Sequence, residues 1–270
     1  MMALGFLKKM FFADNIAPLV NDVFGNPVGL DSLTIILGTI GFGIQIYCDF
    51  SGYSDIALGA ATIMGFKIPV NFNKPYFATS PSDFWRRWHI SLSTWLRDYL
   101  YIPLGGNKKS KPRTYLNLFI VMFLGGLWHG ASWNFVLWGV LHGAYLAVHR
   151  FVSDRFPSVS SNRFFKSRIG KIVSIGVMQY FVFLAWIPFR VGDYNGMVYA
   201  MEKYVLLDTH TNVFKTFLLS HKIPILFIIL FIVLHYMTYE KDISERIIRA
   251  RLHWWIIVLR SEEHTSELQS

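Results

Sequence analysis

The sequence predicts an all-α, polytopic transmembrane protein, and three observations carry that prediction. The 270 residues are 53% hydrophobic and 17% aromatic but only 16% charged, and the mean hydropathy is +0.36, a membrane composition rather than a soluble one. Charge-free apolar stretches run from Ser32 to Cys48, Tyr115 to Val148, Ile172 to Phe189 and Ile223 to Tyr239; the three shorter ones lie near the lower length limit of a spanning helix. The residues behind the net charge of +9 sit in short loops beside those stretches, where membrane topology and anionic lipid headgroups account for them. No nucleic-acid-binding signature accompanies the charge, so membrane lipid and not nucleic acid is the expected partner.

From the N-terminus, Lys8 and Lys9 interrupt an apolar stretch and leave no pattern of a cleavable signal peptide. Ser32 to Cys48 is the first expected span. Cys48 is the single cysteine, which excludes an internal disulfide or a CxxC motif and reads as a small apolar side chain within the span. Asp49, Tyr53 and Asp55 close the span, with Asp49 and Tyr53 one turn apart in a helix. Carboxylates at a membrane boundary need partners, and Arg86, Arg87 or Arg97 are the expected ones. Ser51 to Phe66 is rich in Gly and Ala, suiting close helix packing or a re-entrant segment, and Pro69, Pro75 and Pro81 punctuate the loop that follows.

Ser82 and Asp83 cap an expected helix from Phe84 to about Leu100, stopped by Pro103 and Gly105-Gly106. Trp85, Trp88, Leu92, Trp95 and Tyr99 recur at spacings of three and four as one stripe, and Arg86, His89, Ser93 and Arg97 form another. Tryptophans on one side and arginines on another predict an amphipathic helix lying in the interface, not one that spans.

The stretch Tyr115 to Val148 contains no Asp, Glu, Lys or Arg. As one straight helix it would extend roughly 50 Å, beyond the ~30 Å hydrocarbon core, so it must fold back. Lys108, Lys109, Lys111 and Arg113 precede it and His149, Arg150 and Arg155 follow, which places both feet of the hairpin in the cytoplasm and its turn, carrying His129, towards the far leaflet. The loop from Phe151 to Lys171 is strongly basic and reads as cytoplasmic; the loop from Val191 to His221 holds Asp193, Glu202 and Asp208 and reads as exterior. The last two spans then go out at Phe189 and return at Tyr239, towards Arg246, Arg249 and Arg251.

A histidine at membrane depth is a functional candidate by default. A lone His on an apolar helix is more often a neutral core residue bonded to a nearby carbonyl, but Gly125, Gly126 and Gly130 beside His129 permit a turn or close backbone approach, and Trp128, Trp133, Asn134 and Trp138 offer flat walls with scattered donors. An imidazole with an intrinsic pKa of about 6.5 accepts a hydroxyl proton near neutrality, as acyl transfer to an alcohol requires. His89 is the second candidate, balanced against a headgroup-contacting role; His142 reads as packing. There is no HExxH, GxSxG, P-loop or dinucleotide fingerprint and no metal site is expected.

Four motifs in order, Asp49-Phe50-Ser51-Gly52-Tyr53-Ser54-Asp55, Asn71-Phe72-Asn73-Lys74-Pro75-Tyr76, Phe84-Trp85-Arg86-Arg87-Trp88-His89-Ile90-Ser91-Leu92-Ser93-Thr94-Trp95-Leu96-Arg97-Asp98-Tyr99 and Gly126-Leu127-Trp128-His129-Gly130, resemble the membrane-bound O-acyltransferase (MBOAT) family, in particular its bacterial alginate O-acetyltransferase branch, with the D-alanyl transfer protein of teichoic acid modification as a near relative. The resemblance covers about Gly5 to Trp255. It implies that His129 falls on the family's active-site histidine and His89 on the second histidine of its catalytic core. It implies a multi-pass enzyme of the bacterial inner membrane, with a cytoplasmic and an exterior funnel meeting near the histidine. Acetyl groups would pass from a cytoplasmic thioester, acetyl-CoA or another, to hydroxyls of an exported polysaccharide, with no permanently bound cofactor and with periplasmic or membrane-anchored acetyltransferases as partners. D-alanyl transfer to teichoic acid is the alternative within the family, and a transporter with His129 lining a pathway the alternative outside it. Residues 1–259 are accordingly expected to be the C-terminal catalytic portion of a single membrane domain, with Met1 an internal start. The segment Arg260 to Ser270 resembles the translation of a sequencing adapter and is excluded from fold reasoning.

Overall fold

The computed structural model describes residues 1–158, 162–208 and 211–240. Among them every regular element is helical: α1 (Met2–Phe6), a π-helical stretch (Leu7–Ala13), α2 (Asp14–Gly25), α3 (Ser32–Ile63), a 3-10 turn (Pro75–Phe77), α4 (Pro81–Trp85), α5 (Ile90–Leu96), a second π-helical stretch (Arg97–Tyr101), α6 (Lys111–His129), α7 (Trp133–Arg155), α8 (Arg163–Lys166), α9 (Arg168–Arg190), α10 (Tyr194–Leu206), α11 (Thr211–Ser220) and α12 (Lys222–Glu240). Four helices are long and apolar enough to cross a membrane: Ser32–Ile63, Trp133–Arg155, Arg168–Arg190 and Lys222–Tyr239. The expected adapter-like tail and the basic residues Arg246, Arg249 and Arg251 lie outside the described residues.

The first span does not end at Cys48. Asp31 caps α3 by accepting from the Thr34 N–H at 2.8 Å, and the helix continues without a break through Asp49 and Asp55 to Ile63, some 48 Å at 1.5 Å per residue. Close packing sustains it, since a Cβ on Gly52 would lie 2.7 Å from the Gly5 carbonyl and one on Gly59 would lie 2.4 Å from the Met2 side chain. Helices in lipid gain little from hiding apolar surface and associate through such small-residue contacts instead. The expected arginine partners of the carboxylates are not the ones found. Lys8 pairs with Asp55 and Lys9 with Asp49, each at 2.7 Å, while Arg87 is taken by Asp83 and Arg97 by Asp98. The N-terminal lysines lie along α3 once α1 packs against it, whereas the arginines have acids four residues and one residue away in sequence.

The single amphipathic helix expected over Phe84 to Leu100 is two short helices. Ser80, not Ser82, caps the first, through the Asp83 N–H at 3.1 Å, and the chain turns at His89 before α5 starts. Trp85 and Trp88 face the core at 8% and 4% exposure, while Trp95 and Tyr99 are exposed, so the aromatic stripe is divided between core and surface.

The stretch from Tyr115 to Val148 folds back as its length requires, α6 packing along α7. α6 and α7 cross closely at Gly126 and Gly139, and Gly143 meets Phe119. Their feet stay together, with the Tyr115 hydroxyl donating to Asp154 at 3.1 Å and Arg150 paired with the same carboxylate. At the opposite end Asn134 donates to the Val191 carbonyl, so the turn after His129 lies beside the start of the segment expected to face outward. Ile16, Leu19, Val20 and Val23 of α2 join Val182, Ala185, Trp186 and Ile187 of α9 and Trp138 of α7 in one core cluster.

Candidate functional site

His129 is the last residue of α6, and Gly130 to Ser132 turn the chain before Ser132 caps α7. The imidazole stands edge-on to Trp138 at 4.9 Å, to Phe189 at 5.1 Å and to Trp128 at 5.1 Å, with Phe135 at 6.2 Å. Aromatic edges fix the ring plane without consuming a ring nitrogen. Among the described residues the ring makes no hydrogen bond, unlike a core histidine tied to a carbonyl. Trp128 and Trp133 beside it are exposed.

His89 is held in a different way. Its backbone is left-handed, φ 43° and ψ 56°, a conformation that costs a non-glycine residue on the order of 1 kcal/mol or more and persists where the surroundings over-determine it. Asn71 supplies the constraint: its carbonyl accepts from the Ile90 N–H at 3.0 Å and its side-chain oxygen accepts from the Ser91 N–H at 3.1 Å and the Ser91 hydroxyl at 2.7 Å. The Ser91 Oγ lies 3.4 Å from His89 Nδ1, and Phe50 of α3 meets the ring edge to face at 4.6 Å. Burial, and next the proximity of His129, push the His89 imidazole down to about 4, so it is neutral at pH 7.

A charge on His129 disfavours protonation of His89. Rings fill the space between their helices: Trp88 packs on Trp186 at 5.0 Å, Trp186 on Phe189 at 5.4 Å, and Phe189 on His129. His142 is 1% exposed, enclosed by Trp138 at 4.8 Å and Trp85 at 5.2 Å, a packing position. Asn71 and Ser91 were not singled out as site residues from sequence. The available signal was a serine two residues beyond a candidate histidine, with an Asn-Phe-Asn loop that only the fold brings alongside. No group of three or more metal-ligating side chains occurs among the described residues.

An aromatic-walled imidazole whose ring nitrogens make no hydrogen bond among the described residues can move a proton to or from a hydroxyl placed against it. Residues 32–189 match the model of the membrane-bound O-acyltransferase family, and both histidines fall inside that range. The chain is 54% identical over 148 residues to a probable alginate O-acetylase of Pseudomonas aeruginosa, covering 54% of this chain and 28% of that protein. It is 39% identical over 206 residues to a peptidoglycan O-acetyltransferase of Helicobacter pylori, covering 76% and 38%, and 30% identical over 171 residues to a teichoic acid D-alanyltransferase of Bacillus subtilis, covering 59% and 41%. The chain thus spans about a third of the length of the curated relatives it matches.

Proposed function

Because the chain belongs to the membrane-bound O-acyltransferase family, we propose that it contributes the proton-transfer site of a bacterial inner-membrane O-acetyltransferase that moves acetyl groups from a cytoplasmic thioester to hydroxyls of an exported polysaccharide. The observation that carries this reading is the placement of His129 at the tip of the α6–α7 hairpin, its ring set by Trp138 and Phe189 and making no hydrogen bond among the described residues. In the proposed step the imidazole takes the acceptor's hydroxyl proton as that oxygen attacks the thioester carbonyl. The C–S bond then breaks, the polymer leaves as an O-acetyl ester, and the imidazolium returns the proton to the departing thiolate. Neutral His89 sits on the other side of the aromatic wall, where it can orient the donor without adding a charge. The donor, acetyl-CoA or another acyl thioester, is a substrate in this scheme. Alginate is the favoured acceptor class on the strength of the relatives at about half identity, with periplasmic or membrane-anchored acetyltransferases receiving or completing the transfer.

The test uses a full-length protein in a polysaccharide-exporting strain. His129→Gln should leave membrane insertion and export intact and lower polymer O-acetylation by about 10²- to 10⁴-fold, the usual contribution of general base catalysis. His89→Gln should fall between that variant and wild type. Normal acetylation in a well-folded His129→Gln protein overturns the assignment, and loss of export together with acetylation favours a transporter. Supplying acetyl-CoA and a D-alanyl carrier thioester to membranes in parallel separates acetyl from D-alanyl transfer.

A further inference from the structure

A groove of about 840 Å³ opens between α7 and α9, lined also by Ser80, the cap of α4, and by Pro81 at that helix's start. Its walls are apolar, made by Ala144 and Val148 on one helix and Val173, Val177 and Phe181 on the other. At one end stand Lys171, His149 and Ser153, near the basic residues Arg163 and Lys166 of α8 and Arg168 at the start of α9. No carboxylate lines it. Lys171 has no ion pair among the described residues, and the Tyr145 hydroxyl in the wall is buried without a hydrogen-bond partner.

Each of these features belongs to an amphiphile with a negative end. The apolar trough lies between two helices long enough to span a bilayer, a setting that suits an acyl chain. The cation, imidazole and hydroxyl sit at the end where those basic residues mark the headgroup level, and they match a phosphate with its ester oxygens. Basic pockets between transmembrane helices on the cytoplasmic side select anionic lipids for this reason. We infer that the α7–α9 groove is a binding site for one anionic glycerophospholipid, its phosphate against Lys171 and His149 and one acyl chain along Val173, Val177 and Phe181. The bound chain would complete the packing of α7, the helix whose other end sets the turn after His129. This inference concerns lipid binding and does not depend on the acyltransferase reading.

The experiment is native mass spectrometry of the full-length protein released from detergent after equilibration with phosphatidylglycerol or phosphatidylethanolamine. The wild type should retain phosphatidylglycerol preferentially. Lys171→Gln should lower that preference about fivefold, the effect of one lysine near an anionic surface. Val177 is more than half exposed, so Val177→Trp fills the groove without entering the core and should remove both lipids. Ile172→Trp, at an exposed position outside the lining residues, should change neither. Equal retention of the two lipids by the wild type overturns the inference, as does retention of phosphatidylglycerol by a Val177→Trp variant of normal melting temperature. Displacement of the lipid by coenzyme A thioesters would overturn it too, by making the groove a donor passage.

Discussion

Gly126→Ala tests whether the tight crossing of the hairpin positions His129. A Cβ at residue 126 would lie 2.4 Å from the Phe135 carbonyl oxygen and 3.0 Å from Gly139 Cα. Carbon–oxygen contacts settle near 3.3 to 3.6 Å, so α6 and α7 must separate by about 1 Å at that level. Overpacking of this kind costs roughly 1–3 kcal/mol, and the better helix propensity of Ala returns about 1 kcal/mol, leaving a net loss of up to about 2 kcal/mol. The effect on chemistry should be larger, since His129 is three residues further along the displaced helix and a 1 Å misplacement costs about 100-fold in rate. Gly176→Ala in α9 is the control, because a Cβ there meets nothing within 4 Å and only the propensity gain of about 1 kcal/mol remains. Thermal melting in detergent and the O-acetyl content of exported polymer, both in a full-length protein, report the two quantities. If Gly126→Ala melts and acetylates like Gly176→Ala, the crossing does not set the site.

Three further outcomes follow from contacts described above. Asp55→Ala should destabilise more than Asp49→Ala, since Lys9 keeps Asp14 at 2.8 Å when Asp49 is lost while the partly buried Lys8 loses its carboxylate; equal melting temperatures would contradict this. Asn71→Ala leaves the half-buried Ser91 N–H without its acceptor, a loss of about 1 kcal/mol, and Asn71→Asp, which keeps the oxygen, should recover most of it in a melting assay. Because the His89 pKa lies at about 4 in the folded protein and at 6.5 in the unfolded chain, its contribution to stability is complete above pH 6.5 and is lost progressively as pH falls towards 4. The melting temperature of His89→Gln relative to wild type should therefore improve on acidification through that window, and parallel curves would refute the assignment.

The sequence by itself determined the membrane class, the hairpin and the turn that carries His129. Each is a one-dimensional property: apolar run length against bilayer thickness, and the placement of Lys and Arg at the ends of the runs. It grouped Trp85, Trp88 and Trp95 on one stripe facing lipid or the core, and only the packed structure put Trp85 and Trp88 in the core and left Trp95 exposed. It read Phe84 to Leu100 as one helix because nothing local forbids helix at His89. The left-handed turn there is imposed by Asn71, which holds Ser91 from twenty residues away in sequence with no local signature. The partners of Asp49 and Asp55 were likewise set by distance in space: arginines and lysines are equally able to neutralise a carboxylate, and the choice fell to Lys8 and Lys9 once Gly5 allowed α1 to lie against Gly52 of α3. The wall around His129 depended on the tertiary structure for the same reason. Trp138 and Phe189 belong to separate helices whose apolar faces admit many pairings, and only the packed core decides which aromatic edges meet the imidazole.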